Sequence, residues 1–329
     1  MSVKSIRIAV LAVSATLIAP LAAAAQGDPA ANYPSRPIRL VVPFTPGASN
    51  DIIARLVGQK LSEAWSQQVV VDNRPGAGGS IGADTVANAA PDGYTLLLAN
   101  PGPSVNTPLM LKRAPYKVAD FTNIVFIGYA PLIVLSNPKF PVNNPKELVA
   151  YAKSNPGKVS WGSSGNGSSL HIGLALFQAA TGVNVVHVPY KGSGPALVDT
   201  ISGQIQTMLT TTVSADTHIK SGRVKVIGIA STKRSPLLPD VPTFAEAGIK
   251  DAEAIVWFGM SAPLKLPRSI VNRLNAEVNR IVALPDVKQR LDQLGLEVAG
   301  GTPEEFDAFV RKEAGKVTGL LKAGLLKAE

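Results

Sequence analysis

Short, continuous apolar runs that alternate with stretches of helical periodicity constrain this chain more than any other feature. Leu40 to Val42, Val69 to Val71, Tyr94 to Ala99, Val159 to Gly162, Val183 to Val188, Ile205 to Leu209 and Val224 to Ala230 are such runs, and turns rich in Gly and Pro punctuate them. Strands that are apolar on both faces need cover on both faces, so the rhythm predicts an α/β fold of parallel sheets covered by helices. Ile52, Ile53, Leu56, Val57 and Leu61 share one helical face after the first run. A second helix is predicted from about Ile81 to Ala90, stopped by Pro91, Asp92 and Gly93. Asn144, Pro145 and Glu147 stand in register as N-cap, first-turn proline and capping-box acid. Leu170, Leu174 and Phe177 share the face of a helix that ends at Gly182, and another helix is expected around Pro195. The last part reads as helical near Ile270 to Leu284 and Asp286 to Leu294, with a final helix capped by Thr302, Pro303 and Glu305.

The chain has 329 residues. Lys4 and Arg7 precede an apolar run from Ile8 to Ala25, with Ala23 and Ala25 at the positions a signal peptidase reads. Residues 1–25 are therefore expected to be a cleaved export signal; an uncleaved membrane anchor is the alternative, and it would need about 20 apolar residues. Loss of that segment takes away two cations and no acid, so the formal charge falls from +9 to +7. The remaining basic residues are scattered and do not form a tract with interleaved aromatics, which argues against nucleic acid as a partner. The absence of cysteine excludes a disulfide framework and a lipid-anchored cysteine. About 300 residues exceed what one core usually fills, so two domains are expected. A free, soluble, exported protein is the resulting expectation.

Two loops could carry chemistry. Phe44, Gly47, Ala48, Ser49, Asn50 and Asp51 belong to the first, and Ser163, Ser164, Asn166, Gly167 and Ser168 to the second. Each joins a buried strand to a helix N-terminus, where backbone N–H groups lack intrahelical partners and the helix dipole favours an anion. In an α/β sheet such loops lie at the carboxyl ends of the strands, where ligands bind. Ordinary tight turns with Ser or Asn caps would look the same one at a time. Two equivalent loops, one in each half, favour a dicarboxylate-like ligand bridged between domains.

Other patterns are weaker. Gly76, Gly78 and Ile81 miss the dinucleotide fingerprint at its third glycine, and no Walker A sequence occurs. His171, His187 and His218 are 16 and 31 residues apart, without metal-ligand spacing, so no metal is expected. Asp51 could serve as a general base, but an Asp at a helix start more often answers the dipole. Among Tyr94, Trp161, Tyr190 and Trp257, core packing is the commoner use; Tyr190, in a loop before a helix with Lys191 beside it, has the best case for lining a pocket.

Seven segments in order resemble one family across nearly the whole exported chain: YPSRPIRLVVPF from Tyr33, DNRPGAGGSIGA from Asp72, PDGYTLLLA from Pro91, SSGNGSS from Ser163, HVPYKGSGPAL from His187, HIKSGRVKVIGIAS from His218 and LPDVPTFAEAG from Leu238. They are similar to the Bug-type solute-binding receptors of tripartite tricarboxylate transporters. The resemblance implies two α/β lobes of the type II periplasmic binding protein kind, closing on a small carboxylate without catalysis or cofactor. It implies a chain that crosses the hinge near Tyr129 and Ile255, so that residues 33–129 and 256–329 form lobe I and residues 130–255 form lobe II. The family's two carboxylate loops fall on Phe44 to Asp51 and on Ser163 to Ser169. Two departures stand out. Gly47, Ala48, Ser49 and Asn50 replace a run of glycines and a Thr, which narrows the pocket, and Thr210 and Thr211 replace an Asp-Asn pair, which weakens the case for a ligand with an amino group. A periplasmic, monomeric receptor that hands its ligand to inner-membrane transporter subunits is the implied role. A binding protein feeding a sensor kinase would have the same site, and a hydrolase or lyase would need a base poised beside a nucleophile or metal.

Overall fold

The computed structural model describes residues 28–326, so the segment read as an export signal lies outside the described residues. The chain opens with β1 (Ile38–Val42), α1 (Ser49–Trp65), β2 (Val69–Asn73), α2 (Ser80–Ala87), β3 (Thr95–Ala99), α3 (Thr107–Met110) and β4 (Phe121–Pro131). It continues through β5 (Ile133–Ser136), α4 (Pro145–Ser154), β6 (Ser160–Ser163), α5 (Ser169–Thr181), β7 (Val186–Pro189), α6 (Ser193–Ser202), β8 (Thr207–Thr210), α7 (Thr212–Lys220) and β9 (Lys225–Ile229). It closes with β10 (Ile255–Pro263), α8 (Arg268–Val282), α9 (Pro285–Gln293), β11 (Glu297–Val298) and α10 (Pro303–Lys322).

These strands form two sheets, one of six strands in the order β11-β4-β10-β3-β1-β2 and one of five in the order β7-β6-β8-β5-β9. The first sheet takes strands from both ends of the chain, and the second takes only strands from its middle. Both are mixed, not purely parallel as the apolar rhythm suggested. β10 runs antiparallel to β3 and β4, and β5 runs antiparallel to β8 and β9. α3, β4, β5, α7, β10 and β11 were not among the elements read from sequence.

Alternation of side chains across the first sheet builds two apolar layers. Leu40, Val42, Leu96 and Leu98 point to one core with Ile53, Val57 and Leu61 of α1 and Leu274, Val278 and Ile281 of α8. Val41, Leu97 and Ala99 point to the other, against Phe306 and Val310 of α10 and Trp257. Trp161 is likewise fully buried, packed on Phe177 with ring centroids 5.0 Å apart, so Trp161 and Trp257 both serve cores. Tyr94, just before β3 of the first sheet, lies beneath the Arg36 guanidinium, 4.1 Å from its ring centre, and not in a pocket between the sheets.

The chain passes between the sheets at Leu132 and again at Ala254, and there the two passages are neighbours. Leu132 donates its N–H to Ala254 O at 2.9 Å, Ala254 donates to Ala230 O at 2.9 Å, and Ala230 donates to Leu132 O at 2.8 Å.

Candidate ligand-binding site

Four strand ends point their following helices at one place between the sheets. After β1 the chain turns through Pro43 to Ala48 into α1, whose N-cap Ala48 is extended and has no side chain that can cap. Gly47 sits at φ +79° and donates its N–H to Asp51 Oδ2 at 3.0 Å. The Asp51 carboxylate is fully engaged: Asn73 Nδ2 donates at 3.1 Å and Arg55 pairs with it at 2.9 Å. Burial acts to raise this carboxyl, but the Arg55, Gly47 and Asn73 hydrogen bonds outweigh it and hold the group below the usual range. Asp51 is thus a brace for the loop, not a base open to substrate.

After β6 the second loop is braced by histidines. Ser163 Oγ accepts from Gly165 N at 3.1 Å and lies 2.6 Å from His187 Nε2, while Gly167 N donates to His171 Nδ1 at 3.1 Å. Ser168 caps α5 through His171 N. The two imidazoles, which sequence spacing had set apart, stack with centroids 4.2 Å apart and planes 3° from parallel. Burial, and then the neighbouring His171, push the His187 pKa down to about 4. Among the described residues no group of three or more His, Cys, Asp or Glu side chains is placed to hold a metal ion.

The third and fourth helix starts are α6 at Ser193 and α7 behind Thr211, and neither has a side-chain cap. Between the four lies a cavity of about 20 Å³. Of the residues predicted from sequence, Phe44, Ala48, Ser49, Asn50, Ser164, Thr210 and Thr211 form its wall. Gly47, Asp51, Ser163, Gly167 and Ser168 stand behind that wall and hold the loops, and Asn166 turns its carbonyl towards Gly78 of the other lobe. Tyr190 does not line the cavity; its hydroxyl donates to Asp199 Oδ2 at 2.6 Å.

Asn100, Ser169, Leu170, Ser193 and Val256 complete the wall. Ser169 belongs to the loop read from sequence, whereas Asn100, Leu170, Ser193 and Val256 escaped it. Asn100 and Ser193 obey the same strand-end rule as the two loops, but they lack a long small-residue run to draw attention. No wall residue carries a formal charge. Asn50 is only 4 % exposed and its amide nitrogen has no hydrogen-bond partner.

The lobes meet closely around this cavity. A Cβ on Gly78 would collide with Asn166 O, and one on Gly192 would collide with the Thr45 hydroxyl. Gly78, within the glycine run, therefore faces the other lobe across the cleft. Gly78, Ser80 and Gly82 also have the spacing of a hydrolase elbow, but Ala77–Gly79 form a 3-10 turn between β2 and Ser80, so no strand delivers that serine directly.

The model of the tripartite tricarboxylate transporter family receptor matches residues 53–325. The chain belongs to this receptor family. A UPF0065 protein from the tcbD-tcbE intergenic region of Pseudomonas sp. (strain P51) is 43 % identical over 283 residues, 85 % of this chain and 84 % of that one. The periplasmic binding protein BugD superposes with a TM-score of 0.85 at 37 % identity, covering 90 % of this chain and 100 % of that one. Rpa4515 of R. palustris with adipate gives 0.85 at 34 % identity, over 88 % and 97 % of the two chains. MatC from Rhodopseudomonas palustris with bound malate gives 0.84 at 31 % identity, over 88 % and 100 %. The tricarboxylate-receptor family consists of periplasmic binding proteins, not enzymes, and the two-lobed type II architecture is that of these relatives.

Proposed function

We propose that this receptor captures a small carboxylate between its lobes, at a cavity whose about 20 Å³ admits one water-sized group and widens around a larger acid, and delivers it to inner-membrane transporter subunits, working in the periplasm after removal of residues 1–25. The observation that carries the reading is the convergence of four helix N-termini, from α1, α5, α6 and α7, on a wall with no charged side chain and one unpartnered amide donor, Asn50 Nδ2. Partial positive charge from helix ends suits an anion, and the absence of any wall carboxylate leaves no counter-charge for an ammonium group. Adipate in one relative and malate in another support the same class of ligand.

The lobes of the proposal follow the sheets to within two residues: residues 33–129 with 256–329, and residues 130–255, bending at the paired passages around Leu132 and Ala254. A ligand held by one lobe draws the other onto its far end, and the differential contact selects the closed form.

The test is a thermal-shift and calorimetric screen of the exported form, unfolded and refolded to strip bound solute, against malate, adipate and other mono-, di- and tricarboxylates beside ammonium-bearing amino acids. At 100 times its Kd a ligand adds about 2.7 kcal/mol and raises Tm by a few degrees. Best binding by amino acids would overturn the reading, as would a flat response to every acid.

A further inference from the structure

One contact between the lobes lies outside the cavity, a single residue from its wall. Thr212, the first residue of α7, follows Thr210 and Thr211, and its hydroxyl donates to Leu294 O at 2.6 Å in the other lobe, at the end of α9. Carbonyls at a helix end lack intrahelical partners, and Thr212 is buried, so this bond forms away from water. The next residue, Gly295, has φ +79°, and a Cβ on it would collide with the Thr212 hydroxyl oxygen. Only a residue without a side chain lets that hydroxyl reach Leu294 O.

The position of this pair is informative. On one side stand the cavity residues Thr210 and Thr211; on the other opens a groove of about 1070 Å³ between the lobes, lined by Leu237, Ile255, Gly295 and Leu296 among others. The same helix start is tied to lobe I a second time, by Ser49 N donating to Ser214 Oγ at 3.1 Å. The Thr212 bond touches no cavity atom, yet it exists only while α7 and α9 are together.

We infer that the Thr212 hydroxyl and the bare Cα of Gly295 form a latch that sets ligand affinity by stabilising lobe closure. Apparent affinity scales with the population able to hold ligand closed, so a group that stabilises closure raises affinity without meeting the ligand. Thr212 and Gly295 are positioning residues in this scheme. Their effect on affinity rests on the ligand reading above; their effect on closure does not.

The chain has no cysteine, so Lys112→Cys in lobe I and Lys158→Cys in lobe II accept a donor and acceptor dye, and energy transfer reports closure. Closed fraction and affinity for malate and adipate are measured for the parent, Thr212→Val, Thr212→Ser, Gly295→Ala and the Gly295→Ala, Thr212→Ala pair. Thr212→Val should lower the closed fraction and weaken binding about fivefold, the worth of one neutral hydrogen bond, and Thr212→Ser should match the parent. Gly295→Ala should weaken binding about tenfold or more, and Thr212→Ala added to it should recover part of the loss by removing the colliding oxygen. A merely structural role would lower Tm in both Thr212 variants and show no such rescue, which overturns the latch. Equal closure and affinity in Thr212→Val and the parent overturns it too, as does a parent that never closes with or without acid. If neither acid binds but Thr212→Val still lowers the closed fraction, the latch stands and the carboxylate reading falls.

Discussion

Asn50 holds an amide nitrogen away from water with nothing to donate to, a situation that costs about 1–3 kcal/mol unless an acceptor arrives. A bound carboxylate or hydroxyl oxygen would supply one. Asn50→Asp should reduce carboxylate affinity by tenfold or more, because it sets a like charge in the wall, while Asn50→Ala should cost less; isothermal titration of the best acid from the screen checks the ranking. His187 sets a different limit. Its pKa in the folded protein, about 4, lies below its ordinary 6.5, so between those values the unfolded chain binds more protons and stability rises with pH. The favourable contribution is complete above pH 6.5 and is lost as pH falls towards 4. His187→Gln should flatten the Tm-versus-pH curve in that interval. Sequence reading found Asn50 because it sits in a recognisable loop at a strand end, and it reached Thr210 and Thr211 only through the family resemblance, at the positions of an Asp-Asn pair. It separated His171 from His187, since their ring stacking depends on the parallel pairing of β6 with β7, which no local spacing encodes.

Among the elements, the helices with chemical punctuation were the most legible. Asn144 accepts from Glu147 N with Pro145 in the first turn, Gly182 closes α5 in the left-handed conformation, and Thr302 and Glu305 form a reciprocal capping box. Each is a local decision between neighbours in sequence. Thr302→Ala should destabilise the protein by about 1 kcal/mol, read as a lowered denaturant midpoint with unchanged slope. β4 and β10 were not legible for the opposite reason. They exchange a long antiparallel ladder, Phe121 to Pro131 against Ile255 to Pro263, between segments more than 120 residues apart, and the direction of a buried strand is fixed by its partner. α2 ends at Ala87, earlier than its proline stop suggested, where the Asn88 side chain turns back to Asp84 O.

For the whole molecule, the separation of charge from the cavity divides the kinetics of capture. Residues 26–329 carry a formal +7 outside a wall with no charged group. Salt should therefore slow association with an anionic ligand by screening the long-range field and leave dissociation nearly constant. Stopped-flow measurements between about 0.01 and 0.5 M salt would show the association rate alone falling; a dissociation rate that rises in step would place a surface charge in contact with the ligand.

The two passages of the chain between the sheets come within one hydrogen bond of each other at Leu132 and Ala254. The segment between them is in effect an inserted cassette with its entry and exit side by side, and it supplies Ser164, Ser169, Leu170, Ser193, Thr210 and Thr211, half of the cavity wall. The flanking chain supplies Phe44, Ala48, Ser49, Asn50, Asn100 and Val256. Recombination at those two points alone would exchange one half-site for a relative's and keep the other, so specificity in such receptors can change by grafting whole halves as well as by single substitutions.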